Sequence, residues 1–169
     1  MSKFICACLV FFMMSCSVSQ AQNQVPKLKS FSLQPISDEA LKDLKQRKLG
    51  KRWLLVLWSL DCPACFKELK LIQAIQETEK STALNIVFIN TDDNRGIQFE
   101  RKQILAFYNM QPYENFYFVD GQADKNRYQI DPNWYGELPR SYFVNKAGKF
   151  QGKSGLLGEE SIKTWLLND

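Results

Sequence analysis

Histidine is absent from this chain of 169 residues, and cysteine is scarce, with five in all. Three of the cysteines, Cys6, Cys8 and Cys16, lie close to the N-terminus, which leaves Cys62 and Cys65 as the one close pair in the rest of the chain. A structural zinc site takes about four ligands, usually Cys or His. Without histidine or a second cysteine pair, neither a zinc site nor the disulfide framework of a small secreted domain is expected.

Long hydrophobic runs are also missing. The longest apolar run near the N-terminus, Phe4–Met14, is far shorter than the roughly 20 residues of a membrane span. Lys3 precedes this run and the small residues of Ser19-Gln20-Ala21 follow it, which is typical of a secretory signal peptide over residues 1–21. We therefore expect an exported, periplasmic protein. The alternative is a lipoprotein anchored through Cys16.

Charge is weak and mixed. The net charge is +4, and lysines and arginines are interspersed with acids, so no nucleic-acid partner is expected. Hydrophobic residues make up 45% of the chain and charged residues 24%, which disfavours disorder. We expect a flexible lead-in over residues 22–30 and one folded domain over residues 31–169.

Apolar patterning predicts an α/β fold. A first short strand is expected around Phe31 and Leu33, and the almost continuous apolar run Trp53–Trp58 predicts a central strand buried on both faces. A helix with a wide apolar stripe is expected from Cys62 to about Lys80, followed by a second buried strand at Leu84–Asn90. Strands and helices then alternate up to a terminal hairpin and helix, which indicates a central mixed β-sheet flanked by helices.

The spacing of Cys62 and Cys65 indicates thiol chemistry. Unpaired N–H groups and the helix dipole at a helix N-terminus stabilise a thiolate, and Pro63 suits the first helical position. A purely structural disulfide is the alternative, although so short a loop would stabilise the fold only weakly. We expect Cys62 to be an exposed helix cap that attacks a partner's sulfur, and Cys65 to be more buried and to resolve the mixed disulfide.

Four segments in this order resemble the thioredoxin superfamily, in particular its exported TlpA/ResA-like branch of thiol-disulfide oxidoreductases. They are the strand ending Leu57-Trp58, Cys62-Pro63-Ala64-Cys65, Lys67-Glu68-Leu69, and Gly136-Glu137-Leu138-Pro139 followed by Ser141–Asn145. The resemblance extends from about Phe31 to Leu167 and implies a thioredoxin-like fold.

The resemblance also implies a second side to the site. Pro139 would be the family's cis-proline, facing the disulfide, and Leu138 would offer backbone groups to an extended substrate peptide. No cofactor is implied. The implied partners are disulfide-containing or dithiol client proteins, such as apocytochrome c or copper-site proteins, and a membrane thiol-electron donor.

The sequence departs from the family at three positions: Asp61 replaces the usual Trp, Lys70 the helix proline, and Val56 the buried acid of thioredoxins. Glu68 or Asp61 is a candidate replacement for that acid, although Glu68 is expected to be a solvated helix residue.

The direction of electron flow is the remaining question. A negative charge at Asp61 opposes a thiolate at Cys62, so we expect a pKa closer to that of thioredoxin than to the very low value of DsbA, and a reductant. The alternatives are a metallochaperone-like assembly factor, a peroxidase, and a non-catalytic binding module. The first two lack the usual histidine or the threonine-containing motif.

Overall fold

The computed structural model describes residues 31–168. The predicted signal peptide, the lead-in and Cys16 lie outside the described residues. The described part contains six strands and five helices, which are, in chain order, β1 (Gln34–Pro35), α1 (Asp38–Arg47), β2 (Trp53–Trp58), α2 (Pro63–Thr78), β3 (Ile86–Asn90), α3 (Gln98–Phe107), β4 (Glu114–Tyr117), α4 (Ala123–Ile130), β5 (Arg140–Val144), β6 (Phe150–Ser154) and α5 (Glu159–Leu167).

The six strands form one mixed sheet in the order β1-β4-β3-β2-β5-β6. β1, β4, β3 and β2 are parallel to one another, whereas β5 runs antiparallel to β2 and pairs with β6 in the terminal hairpin. This confirms the predicted central mixed sheet with flanking helices. In α/β folds of this kind, functional residues collect where the parallel strands end, and the two cysteines follow β2 at the start of α2.

The central strand β2 is buried along its whole length, as its apolar sequence predicts. Because successive side chains point to opposite faces, Leu54, Val56 and Trp58 belong to one core layer with α2 and α5, while Trp53, Leu55 and Leu57 belong to the other layer. The cysteines lie in the first of these layers.

The first strand is placed differently from the sequence prediction. It consists of Gln34 and Pro35, paired with Phe116 and Tyr117 at the edge of the sheet, and does not include Phe31 or Leu33. Proline is tolerated there because an edge strand has one side free of ladder hydrogen bonds.

Candidate active site

Cys62 and Cys65 form a disulfide at the start of α2, with their Cα atoms 5.2 Å apart. β2 ends at Trp58, and Cys62 is the N-cap of the helix, with Pro63 as its first residue. The Sγ atom of Cys62 accepts a hydrogen bond from the backbone N–H of Cys65 at 3.1 Å. The helix terminus therefore places a backbone donor directly on the sulfur of Cys62, which is the kind of contact that stabilises a thiolate.

The two cysteines differ in exposure. Cys62 is 9% exposed and Cys65 is 1% exposed. The sequence predicts the order correctly, but the expectation of an openly exposed cap at Cys62 is wrong, because the core layer that contains both cysteines covers most of its side chain. Cys62 is therefore the more accessible of the two cysteines to a partner's sulfur.

The loop before Cys62 is anchored by the carboxylate of Asp92, which follows β3. Ser59 Oγ donates to Asp92 Oδ1 at 2.6 Å, and Leu60 N donates to Asp92 Oδ2 at 2.9 Å. Ser59 links Asp92 to the residues that follow it. Its Oγ accepts a hydrogen bond from Asp61 N at 3.1 Å, and its carbonyl accepts one from Cys62 N at 3.3 Å. The position of Cys62 thus depends on a carboxylate some thirty residues along the chain, which the sequence analysis did not identify.

Asp92 belongs to a buried polar network that includes Arg101 of α3. Arg101 is fully buried, and its Nε and Nη2 donate to Asn90 Oδ1 at 2.7 Å and to the carbonyl of Asp92 at 2.6 Å. Its guanidinium lies over the ring of Tyr117, with Cζ 4.7 Å from the centroid. Burial lowers the pKa of Arg101, and the charge of Asp92 opposes this change. The hydrogen bonds of Arg101, Asn90 and Asp92 fix the ends of β2 and β3 against each other.

Glu68 is buried, with 1% of its surface exposed, so the expectation of a solvated helix residue is wrong. Its Oε1 accepts a hydrogen bond of 2.5 Å from Ser141 Oγ on β5. Ser141 pairs with Val56 on β2, so the carboxyl group comes close to the strand position where the family has its buried acid. Burial raises the pKa of Glu68, and the hydrogen bonds from Ser141 and the backbone of Leu157 oppose the increase in part. Helical periodicity could have indicated that Glu68 lies near the cysteines, since it is three residues after Cys65 and on the same face of α2.

Leu138 and Pro139 lie immediately before β5, and the peptide bond between them is cis. Arg140, the first residue of β5, pairs with Leu57 near the C-terminal end of β2. Leu138 and Pro139 therefore lie at the same end of the sheet as the segment that connects β2 to the cysteines. Pro139 is buried, and its carbonyl accepts from Gly155 N at 2.9 Å. Within residues 31–168, neither backbone polar group of Leu138 has a hydrogen-bond partner.

In the described part of the chain, no group of three or more His, Cys, Asp or Glu side chains is arranged to hold a metal ion. Nor does any helix within residues 31–168 combine the length and apolarity that a membrane crossing requires.

Comparisons with known proteins agree with this architecture. No protein-family model matches the chain. The chain is 25% identical over 158 residues to sporulation thiol-disulfide oxidoreductase A of Bacillus subtilis, a match covering 87% of this chain and 84% of that protein. The thioredoxin domain of a thiol-disulfide oxidoreductase from Bacteroides vulgatus superposes with a TM-score of 0.56 at 16% identity, over 75% of this chain and 84% of that one. For a secreted disulfide oxidoreductase of Mycobacterium tuberculosis the TM-score is 0.52 at 17% identity, over 71% and 83% of the two chains.

The structural likenesses show a thioredoxin-like fold, which confirms the fold predicted from the sequence. Together with the sequence relative and the disulfide at the start of α2, they support thiol–disulfide oxidoreductase chemistry on a thioredoxin-like fold in this chain. Its partners are accordingly proteins that contain disulfides or dithiols.

Proposed function

We propose that this protein is an exported reductant of disulfides in client proteins of the cell envelope. The disulfide at the start of α2, with Cys62 more exposed than Cys65, is the observation that carries the proposal. In the reduced protein, the Cys62 thiolate attacks a client sulfur, a mixed disulfide forms, and one client thiolate leaves. Cys65 then loses its proton and attacks the sulfur of Cys62, which releases the second client thiolate. Two electrons and two protons pass to the client.

Glu68 is the group that we propose receives the proton of Cys65. It lies three residues further along α2, where side chains of a helix are neighbours, about 5–6 Å apart at Cβ. Because burial raises its pKa, its carboxyl group can bind a proton at a higher pH than a solvated glutamate can. In this proposal, Glu68 on α2 replaces the buried acid that thioredoxins have at the position of Val56 on β2.

The client would bind in an extended conformation along Leu138 and Pro139. The two unpaired backbone groups of Leu138 support this role, because an added strand is recognised through such groups. Apocytochrome c and copper-site proteins are the client classes that the resemblance implies, with a membrane thiol-electron donor restoring the dithiol.

Export is proposed from the pattern of residues 1–21, with lipidation of Cys16 as the alternative. The secreted mycobacterial protein of the same fold supports this location.

Reduction of insulin disulfides tests the catalytic assignment. We expect Cys62→Ser to lower the rate by about 100-fold or more, because the variant lacks the nucleophile. Wild-type levels of insulin reduction by Cys62→Ser would refute the assignment, whereas a wild-type protein that leaves insulin disulfides intact would favour a non-catalytic binding module.

The reduction potential tests the direction of electron flow. Equilibration with glutathione is expected to give a value closer to the roughly −270 mV of thioredoxin than to the roughly −120 mV of the oxidant DsbA. A value close to that of DsbA would overturn the reductant assignment while leaving the exchange chemistry intact.

A further inference from the structure

A group of polar side chains brackets the segment Leu138–Pro139, and we call Asp131, Glu137, Arg140 and Ser154 the arginine clip. Arg140 Nη2 donates to Asp131 Oδ2 at 2.9 Å, and Arg140 Nη1 donates to Ser154 Oγ at 2.8 Å. Ser154 Oγ donates in turn to Glu137 Oε1 at 2.5 Å. Glu137 directly precedes the segment and Arg140 directly follows it, so the clip connects its two ends.

The clip is better shielded than an ordinary surface ion pair. The side chains of Arg140 and Asp131 are only 14% and 19% exposed. Arg140 also lies over the ring of Tyr142, with Cζ 4.7 Å from the centroid, and Tyr142 donates its hydroxyl hydrogen bond to Asp131 Oδ2 at 3.1 Å. Partial burial and a planar, multiply bonded guanidinium make such an arrangement rigid compared with exposed pairs.

Gly152 on β6 shows how closely Arg140 is packed. A Cβ atom at Gly152 would lie 2.1 Å from Arg140 Nη2 and 2.6 Å from its Cζ. The backbone of Gly152 does not have a positive φ, so the backbone itself does not call for glycine. The guanidinium, together with Cε1 of Tyr142 at 2.8 Å from that Cβ atom, occupies the space that any other side chain at this position would need.

A second contact holds the same segment from its N-terminal side. Trp134, which is 1% exposed, donates from Nε1 to the carbonyl of Glu137 at 2.9 Å. The carbonyl of Trp134 in turn accepts from Arg127 Nη1 at 2.7 Å. Both flanks of Leu138–Pro139 are therefore fixed, while the backbone groups of Leu138 remain unpaired.

We propose that Arg140 is a positioning residue for client recognition, holding the backbone of Leu138 in the orientation that an extended client peptide needs. This inference rests on the proposed function. None of the contacts of Arg140 in the described residues involves Cys62 or Cys65. Arg140 therefore acts on the binding of protein clients and leaves the chemistry of the cysteine pair unchanged.

Two variants test the proposal in full-length protein with the cysteine pair intact. Gly152→Ala displaces the guanidinium without removing a charge, and Ser154→Ala removes a hydroxyl group from the exposed end of the clip. For Gly152→Ala we expect KM for insulin to rise by about 10-fold with little change in kcat, because a client that is misplaced by a fraction of an ångström binds less productively. Ser154→Ala should show a smaller rise in KM.

Three further measurements separate this role from a merely structural one. The rate with the small disulfide 2-hydroxyethyl disulfide and the reduction potential should not change, because neither depends on Leu138. Amide hydrogen exchange of Gly155, whose N–H donates to the carbonyl of Pro139, should be faster in Gly152→Ala. Arg47→Met is the matched control, since it breaks ion pairs of Arg47 with Asp43 and Glu114 at 2.7 and 3.0 Å, and it should alter none of these quantities.

An active wild-type protein whose KM for insulin is the same in Gly152→Ala and Ser154→Ala would overturn the inference alone. Equal losses with insulin and with 2-hydroxyethyl disulfide would also overturn it, because they would mean that the clip acts on the cysteines. A wild-type protein that leaves insulin disulfides intact would overturn the proposed function first, and this inference with it.

Discussion

The cysteine side of the site, formed by Cys62, Cys65 and Glu68, and the proline side, formed by Leu138–Pro139 and the arginine clip, lie at the same end of the sheet. They are stabilised by different kinds of contact. On the cysteine side, Cys65 and Glu68 are each only 1% exposed, and the carboxyl group has one side-chain partner among residues 31–168, Ser141. On the proline side, a network of partly exposed charges brackets Leu138–Pro139. Burial on the cysteine side raises the proton affinity of Glu68, whereas the network on the proline side fixes the orientation of the backbone at Leu138–Pro139. We therefore expect changes on the cysteine side to alter reaction rates and pH dependence, and changes on the proline side to alter client affinity.

The largest effect that separates the two sides is expected for Glu68→Gln. If Glu68 receives the proton of Cys65, the variant should reduce insulin on the order of 100-fold more slowly, with little change in KM. Steady-state kinetics with insulin measure both parameters. Glu77→Gln is the control, because Glu77 lies on the same helix and is exposed. A rise in KM with unchanged kcat in Glu68→Gln would remove the distinction between the two sides.

The folded state of the cysteine side should also lose stability as the pH rises. Burial raises the pKa of Glu68 above its ordinary value of 4.5, so the folded protein binds this proton more tightly than the unfolded chain does. The resulting stabilisation is fully present below the unfolded pKa and is lost as the pH rises through the folded pKa. Urea unfolding of oxidised protein between about pH 4 and pH 8 should show this loss in the wild type and a flatter profile in Glu68→Gln. Parallel profiles would contradict the assignment.

Loss of the carboxylate that anchors the cysteine loop should destabilise the protein. Asp92→Ala leaves the hydrogen-bond donors of Ser59, Leu60 and Asn90 without their acceptor, at an expected cost of about 2–3 kcal/mol in the free energy of unfolding. Urea unfolding measures the change. Asp43→Ala removes an exposed ion pair with Arg47 and should cost less than about 0.5 kcal/mol. Similar losses in the two variants would show that the anchor contributes no more than a surface charge.

The smallest effect is expected for Asp61→Asn. Asp61 is exposed, so water and salt screen its charge, and its removal should increase the rate of Cys62 alkylation in the reduced protein by less than about threefold. Alkylation by iodoacetamide at low and high salt measures this rate, and the difference between variant and wild type should shrink at high salt. A tenfold or larger increase would mean that Asp61 influences the thiolate as strongly as a buried group.

The sequence was sufficient for features that depend on local pattern. The apolar run of β2, the cysteines at the start of α2 and the segment Leu138–Pro139 can each be recognised within a few residues. The alternation of strands and helices then predicts the mixed sheet, because few arrangements bury so many apolar stripes. The first strand was misplaced because two alternating residues are a weak signal and because edge pairing with β4 depends on the whole sheet.

The burial of Glu68 and the network of Arg101 could not be read in the same way. Charged side chains are solvated by default, and what pairs with them here comes from distant segments. Ser141 lies 73 residues from Glu68, and Asn90 lies 11 residues from Arg101. Helical spacing predicts that Glu68 lies on the same face of α2 as Cys65. Only the structure shows that Ser141 of β5 packs against Glu68 and that this carboxyl group is buried. The contacts that tune such a site are tertiary, even where its reactive atoms are local.

The central claim is that Cys62 is the attacking cysteine, and single-cysteine variants test it most directly. Reduced Cys65→Ala and Cys62→Ala are each mixed with the same peptide disulfide, and mixed-disulfide formation is followed over time. The account predicts that Cys65→Ala, which retains Cys62, reacts at least about 10-fold faster, because its sulfur is more accessible and lies at the helix N-terminus. Equal rates, or faster reaction of the variant that retains Cys65, would contradict it.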